Sequence, residues 1–174
     1  FSQCTTAVTV GRPDWVINCA GIVRERGSLW ERMAAVNGVG PHYLAEACRM
    51  TGAKLLQVSS DCVFGGTAPF KACLENPPSA TDPYGLSKRL GEVGDLIVRC
   101  SFVGRGQHGT LAWLQREAAA CTMEVDGWLN TAWNGGTAPA VARALIDMVE
   151  QNWHPGVLHL AGRETITKAE LLRR

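Results

Sequence analysis

The sequence predicts an α/β protein: a parallel sheet covered by helices on both faces, followed by a smaller C-terminal lobe. Three observations carry that expectation. Apolar runs of strand length alternate with stretches of helical period, the pattern that builds parallel sheets. The runs at 14–20, 54–59 and 95–101 are apolar along most of their length, as suits strands buried on both faces. Beyond Gly104-Arg-Gly106 the character changes, which places a boundary between the sheet and a smaller lobe.

Taken in order, Asp14-Trp-Val-Ile-Asn-Cys-Ala20 ends in Gly21 and reads as the first buried strand. From Leu29 to Met50 the period is helical, with Met33, Val36, Tyr43, Leu44 and Ala47 able to share a face. Gly38 and Gly40-Pro41 interrupt it and predict a bend. Thr51-Gly52 stops the helix, and Lys54-Leu-Leu-Gln-Val-Ser59 is the next strand. Residues 62–83 read as loop, with Asn76-Pro77-Pro78 as a strong breaker. Asp82-Pro83 opens a helix predicted over 84–93, with proline in the first turn, where its missing N–H costs little. Residues 95–101 make the third strand. Helices are predicted over 110–120 and 139–151, a strand over 157–160, and a final helix from 167 to 172. Thr167 and Glu170 stand three apart there, as in a capping box.

Composition narrows the function. The 174 residues suffice for one domain with a real core. Lys plus Arg is 17 against 16 for Asp plus Glu, so no excess of positive charge points to nucleic acid or anionic lipid. No apolar run is long enough to cross a membrane. The first ten residues have neither a basic start nor a sustained apolar stretch, so no signal peptide is expected. Seven cysteines (Cys4, Cys19, Cys48, Cys62, Cys73, Cys100, Cys121) contain no Cys-x-x-Cys. They are expected as reduced core thiols of a cytoplasmic protein. The histidines His42, His108, His154 and His159 lack metal-ligand spacing, and no metal is expected.

Chemistry concentrates in Tyr84-Gly-Leu-Ser-Lys88. Four residues apart on a helix, the phenol and the ammonium lie on one face. The ammonium is expected to lower the tyrosine pKa towards the working pH, so that Tyr84 can protonate a carbonyl oxygen as hydride reaches its carbon. Tyr-x-x-x-Lys also occurs on ordinary helices, so context matters. Val58-Ser-Ser-Asp61 closes a predicted parallel strand, and ligands of open α/β sheets bind beyond strand carboxyl ends. A serine there can hold a carbonyl and the tyrosine oxygen together, or merely make turn bonds. Asn18-Cys-Ala-Gly21 ends the preceding strand in small residues, which lets a cofactor pass close to the backbone or simply packs the strand end.

Read in order, Asn18-Cys-Ala-Gly21, Ala35-Val-Asn37, Val58-Ser-Ser-Asp-Cys-Val-Phe-Gly65, Asp82-Pro-Tyr-Gly-Leu-Ser-Lys88, Arg99-Cys-Ser101 and Trp133-Asn-Gly-Gly-Thr137 form a series. Together they resemble the extended short-chain dehydrogenase/reductase family, in its dTDP-4-dehydrorhamnose reductase-like branch. The resemblance implies a Rossmann-like, doubly wound parallel sheet. It assigns residues 1–105 to a partial dinucleotide-binding domain and 106–174 to a smaller, partly incomplete substrate lobe. It implies NADP or NAD as cofactor and a nucleotide-linked 4-keto sugar as substrate, with a homodimer left open. By the motifs, Ser60, Tyr84 and Lys88 match the catalytic set, with Lys88 also holding the nicotinamide ribose. Asn18, Cys19, Ala20, Gly21 and the backbone of Ser59 match the cofactor side. Ser60, Phe102 and Arg105 are the candidate substrate contacts. Phe102 stands where such enzymes often carry tryptophan.

Family members begin with a strand and a Gly-rich G-x-x-G-x-x-G turn that cradles the pyrophosphate. The early glycines here are Gly11, Gly21 and Gly27, so the sequence is expected to be a stretch of a longer protein lacking the N-terminal strands. The link from Lys88 to Leu96 is short for a full helix plus turn. Asp61-Cys62 supplies one carboxylate where dehydratases carry an acidic pair, which favours a reductase over a dehydratase, while a sugar-nucleotide epimerase on the same scaffold stays open. A non-catalytic regulatory subunit of the methionine adenosyltransferase type shares these motifs and stays open. Arg105 and Arg116 follow the third strand, where a nucleotide diphosphate fits, although ordinary surface charge explains them as well. The six tryptophans are expected in packing rather than as a stacking surface.

Overall fold

The computed structural model describes residues 2–23, 29–65, 74–106, 109–120 and 127–173. The chain opens with helix α1 (Ser2–Gly11), which the sequence reading does not assign. Its Thr5, Thr6, Val8, Thr9 and Val10 are β-branched and poor helix formers. Tertiary packing supports it instead: Val8 is buried in a cluster with Ala47, Cys48, Ala53 and Leu55.

Strand β1 (Trp15–Asn18) follows. Helix α2 (Trp30–Met33) runs into a π-helical stretch, Ala34–Val39, and then into α3 (Gly40–Thr51). The π stretch sits at the interruption expected from Gly38 and Gly40-Pro41, where Pro41 has no N–H to donate. Gly52 closes α3 in the left-handed region, φ 77, with its N–H on the Cys48 carbonyl. Strand β2 (Lys54–Ser60) leads into a 3-10 turn, Asp61–Val63. Helix α4 (Pro83–Leu90) ends three residues before the expected 93. Glycine explains the early stop, since the chain turns through Gly91 and then Gly94, at φ 122, to enter β3 (Leu96–Cys100).

The remaining elements are β4 (Phe102–Val103), α5 (Thr110–Ala119), β5 (Ala132–Trp133), β6 (Gly136–Thr137), α6 (Ala138–Glu150), β7 (Gly156–Leu160), β8 (Ile166–Thr167) and α7 (Lys168–Arg173). The two-residue strands have no hydrophobic period to announce them. Helix α7 starts with the expected capping box: Thr167 N–H donates to Glu170 Oε2 at 2.6 Å, and Glu170 N–H donates to Thr167 Oγ1 at 3.1 Å.

Two compact units result: Phe1–Cys100 with Leu145–His159, and Ser101–Ala144 with Leu160–Arg174. Where the sequence places one boundary at 105/106, the chain crosses after Cys100, Ala144 and His159. The return has a simple cause, since β7 joins the main sheet beside β3. In the first unit the sheet order is β1-β2-β3-β7, with β1–β2 and β2–β3 parallel. The expected Rossmann-like parallel sheet is thus present. The inner strand β2 contributes Leu55, Leu56 and Val58 to the core, joined by Leu96 and Val98 of β3. In the second unit β4 pairs in parallel with β6, and β5 antiparallel with β8.

The cysteine expectation is met only in part. Cys4, Cys19, Cys48, Cys62 and Cys100 are free thiols, but Cys4, Cys19 and Cys62 are exposed. Cys73 and Cys121 lie outside the described residues. Among the described residues no helix is long and apolar enough to cross a membrane, and no group of three or more His, Cys, Asp or Glu is placed to hold a metal.

Candidate active site

The carboxyl end of β2 and the start of α4 meet in the first unit. Asp82 caps α4: its Oδ1 accepts the N–H groups of Tyr84 at 3.1 Å and Gly85 at 3.3 Å. Helical spacing then puts Tyr84 and Lys88 on one face. A Cβ at Gly85 would collide with the Cys62 carbonyl oxygen, so α4 rests directly on the turn that follows Ser60. In that turn Ser60 Oγ accepts the Cys62 N–H at 3.1 Å and donates to Asp61 Oδ1 at 3.0 Å. The Ser60 hydroxyl is also near enough to the Tyr84 phenol to act on its ionisation. Lys88, only 6% exposed, donates from Nζ to the Val58 carbonyl at 2.8 Å. Ser60, Tyr84 and Lys88 therefore form one group across β2 and α4.

The electrostatics differ from the sequence expectation. The Tyr84 phenol is pushed up to about 12, chiefly by burial and then by Cys62, while the Ser60 hydrogen bond pulls the other way. Lys88 does not bring it down. Its amine is engaged by the Val58 carbonyl, and loss of water around the phenol outweighs the attraction expected from spacing alone. Burial also lowers the Lys88 pKa, with Cys100, Glu92 and Cys19 acting in the opposite sense.

At the end of β1, Asn18 is buried and turned inward. Its Nδ2 donates to Gln57 Oε1 at 2.7 Å, and its Oδ1 accepts the Ala20 N–H at 3.1 Å. Gln57 Nε2 in turn donates to the same Val58 carbonyl, at 3.1 Å. Cys19, Ala20 and Gly21 are exposed and small. A Cβ built on Gly21 would lie 3.9 Å from Lys88 Nζ, so this ledge runs past the lysine amine. Ser59 points elsewhere, its Oγ donating to Glu92 Oε1 at 2.7 Å.

Asn37, which the motifs do not assign to the site, joins the group. Asn37 is 1% exposed within the π-helical stretch. Its Oδ1 accepts the Ile22 N–H at 2.7 Å, and its Nδ2 donates to the Ile22 carbonyl at 2.9 Å and to Ser87 Oγ at 3.0 Å. It ties the segment after β1 to α4. The signal was its place in Ala35-Val-Asn37 of the motif series. Phe102 (53% exposed) and Arg105 belong to the second unit, as does exposed Arg116 on α5. The tryptophans are less buried than expected: Trp30, Trp128 and Trp153 are exposed. The Trp113 and Trp128 rings meet in the second unit, tilted by 51° with centroids 5.6 Å apart.

Residues 2–173 match the family model described as RmlD substrate binding domain. The chain belongs to that family. This is the dTDP-4-dehydrorhamnose reductase type of extended short-chain dehydrogenase that the motif series resembles. The chain is 44% identical over 89 residues to a dTDP-4-dehydrorhamnose reductase of Streptomyces griseus, covering 50% of this chain and 29% of that protein. It is 32% identical over 182 residues to a dTDP-4-dehydrorhamnose reductase of Mycolicibacterium smegmatis, covering 94% of this chain and 54% of that protein. The chain thus spans about half the length of the second relative. A crystal structure of dTDP-4-dehydrorhamnose reductase from Bacillus anthracis, in complex with NADP, superposes with a TM-score of 0.86 at 21% identity. That alignment covers 99% of this chain and 64% of the other, and it establishes the Rossmann-like fold.

Proposed function

We propose that the protein containing this chain is an NAD(P)-dependent reductase of a nucleotide-linked 4-keto sugar, in which Tyr84 delivers the proton. The nearness of Ser60 to Tyr84, with Lys88 buried on the same helix, carries this reading, supported by the activity named for the relatives in Streptomyces and Mycolicibacterium. The exposed ledge of Cys19, Ala20 and Gly21 beside the Lys88 amine fits the nicotinamide ribose. The Asn18 side chain is committed to Gln57 and Ala20, so it shapes the ledge. NADP or NAD, when bound, supplies the hydride. We assign the first unit to the cofactor side and place Phe102 and Arg105 of the second unit on the substrate side. Cytoplasmic residence agrees with the exposed free thiols of Cys4, Cys19 and Cys62.

In this mechanism the Ser60 hydroxyl turns from Asp61 Oδ1, its acceptor in this structure, and gives its one O–H to the sugar carbonyl, holding that oxygen beside the Tyr84 hydroxyl. Tyr84 gives that oxygen its proton as the carbonyl carbon is reduced. A phenol raised to about 12 is fully protonated at neutral pH, so the acid form is always present. Lys88 is held by the Val58 carbonyl at 2.8 Å, with its other N–H groups left for ribose hydroxyls.

Substitution of Tyr84 by Phe in the full-length protein tests the assignment. Turnover of dTDP-4-dehydrorhamnose with NADPH should fall by about 10²–10⁴-fold, the usual worth of general acid catalysis, while NADPH affinity stays near wild type. A Tyr84→Phe variant with more than about half of wild-type turnover would show that another group gives the proton.

A further inference from the structure

Behind Ser60 lies a buried charged cluster to which the mechanism gives no role. Glu92, in the turn after α4, accepts from Arg99 at both carboxylate oxygens: Nε to Oε1 at 2.8 Å and NH2 to Oε2 at 2.7 Å. Both side chains are nearly sealed from solvent, at 9% and 8% exposed. Glu92 Oε1 also accepts from Ser59 Oγ. Ser59 and Arg99 are register partners on β2 and β3. The Arg99 guanidinium lies 5.2 Å over the Phe64 ring, and its NH1 is 3.4 Å from His159 Nε2 on β7. A buried ion pair of this kind is weak evidence of stabilisation, because apolar residues of similar volume often serve as well. Its geometry suggests another use.

Helix α4 is one short rod, about 12 Å long for eight residues at 1.5 Å each. Tyr84 stands at its start and Lys88 in its last turn, and Glu92 follows its end. The helix touches β2 and the turn beyond it at two places, Gly85 against the Cys62 carbonyl and Lys88 on the Val58 carbonyl, and the turn that closes it adds a third, Glu92 on Ser59. Glu92 anchors the turn that closes α4, so the end of the helix is tied to β2 as well as its start. Val58, Ser59 and Ser60 are consecutive, so the Glu92 tie grips β2 at the residue next to Ser60.

We propose that Glu92, through its bonds to Ser59 and Arg99, is a positioning residue that fixes α4 against β2 and so holds Tyr84 in register with Ser60. The inference rests on the reading of Tyr84 and Ser60 given above. It predicts a defect in turnover that is separable from stability.

The test uses the full-length protein with dTDP-4-dehydrorhamnose and NADPH. A Glu92→Leu, Arg99→Met double variant replaces the pair by apolar side chains, and such replacements are commonly tolerated by the fold. The melting temperature should stay near wild type and KM for NADPH should change little. kcat per folded molecule should fall on the order of 10- to 100-fold, the scale of a displacement of about 1 Å at the reacting groups. Should the double variant fail to fold, Glu92→Gln keeps the side-chain shape but leaves the buried Arg99 without its counter-charge, so the melting temperature should fall, while KM for NADPH holds and kcat per folded molecule shows the same loss. Wild-type kcat per folded molecule in either variant, whether or not stability drops, overturns the proposal. Tyr84→Phe, assayed alongside, separates the two possible failures. Wild-type turnover there sinks the acid assignment and this inference with it, whereas wild-type turnover in the Glu92 variants alone sinks only this inference.

Discussion

Replacing Gly85 by Ala should push α4 off the Ser60 turn and uncouple Tyr84 from Ser60. Gly85 does not have a positive φ, so the effect is one of space and not of backbone strain. The added Cβ would stand 2.5 Å from the Ala80 Cβ and 3.1 Å from Asp82 Oδ2, and would overlap the Cys62 carbonyl oxygen. Carbon atoms rest about 3.5–4.0 Å apart, so the start of the helix must retreat by about 1 Å. Neither a methyl group on Ala80 nor a backbone carbonyl can swing aside. Overpacking of this kind costs about 1–3 kcal/mol, and Tyr84 is the adjacent residue. A displacement of about 1 Å at reacting groups costs up to about 10²-fold in rate. Steady-state kinetics and thermal unfolding of the full-length Gly85→Ala variant give the answer. We expect a folded protein of lower melting temperature, with kcat reduced between about 10- and 100-fold. A kcat and a melting temperature both equal to wild type would refute the claim that α4 is pinned on the turn at this point.

Asn37→Ala should destabilise the protein by about 3 kcal/mol, from three lost hydrogen bonds at about 1 kcal/mol each. Urea unfolding that shows less than about 1 kcal/mol would mean that Ile22 and Ser87 find other partners. Ultraviolet difference titration of wild type against Tyr84→Phe should place the ionisation of Tyr84 well above pH 10, near about 12. The sign follows from burial: the neutral phenol is favoured in the folded state, so its contribution to stability is present below about pH 10 and is lost as pH rises through about 12. kcat/KM for reduction should show no alkaline loss from Tyr84 below about pH 10. A Tyr84 midpoint in the neutral range would contradict the dominance of burial.

What could be read from the sequence follows from what period and punctuation encode. The runs that became β1, β2 and β3 are visible because strands buried on both faces are apolar throughout. Asp82-Pro83 announced the start of α4, and Thr167 with Glu170 announced α7, because caps are local chemistry. The placement of Ser60 at the end of β2 and of Tyr84 and Lys88 on one helix was legible through the order of motifs and the four-residue helical spacing. Helix α1 was not, because its β-branched residues argue against a helix and only the packing of Val8 against α3 and β2 overrules them. The Tyr84 pKa was misjudged because spacing reveals the ammonium but not the loss of water around the phenol. The tie from Glu92 to Ser59 and Arg99 joins residues 33 and 7 apart in sequence, and no periodic pattern marks it. The inward turn of Asn18 was hidden for the same reason, since it depends on Gln57 of the neighbouring strand.

Transfer of a labelled hydride is the most direct test of a nicotinamide-dependent sugar reductase. The full-length protein would be given dTDP-4-dehydrorhamnose and NADPH or NADH deuterated at the transferring position of the nicotinamide. Deuterium should appear on the sugar carbon that bore the carbonyl, in step with cofactor oxidation. A reduced sugar without deuterium, or no cofactor oxidation by the folded wild-type protein, would contradict the account.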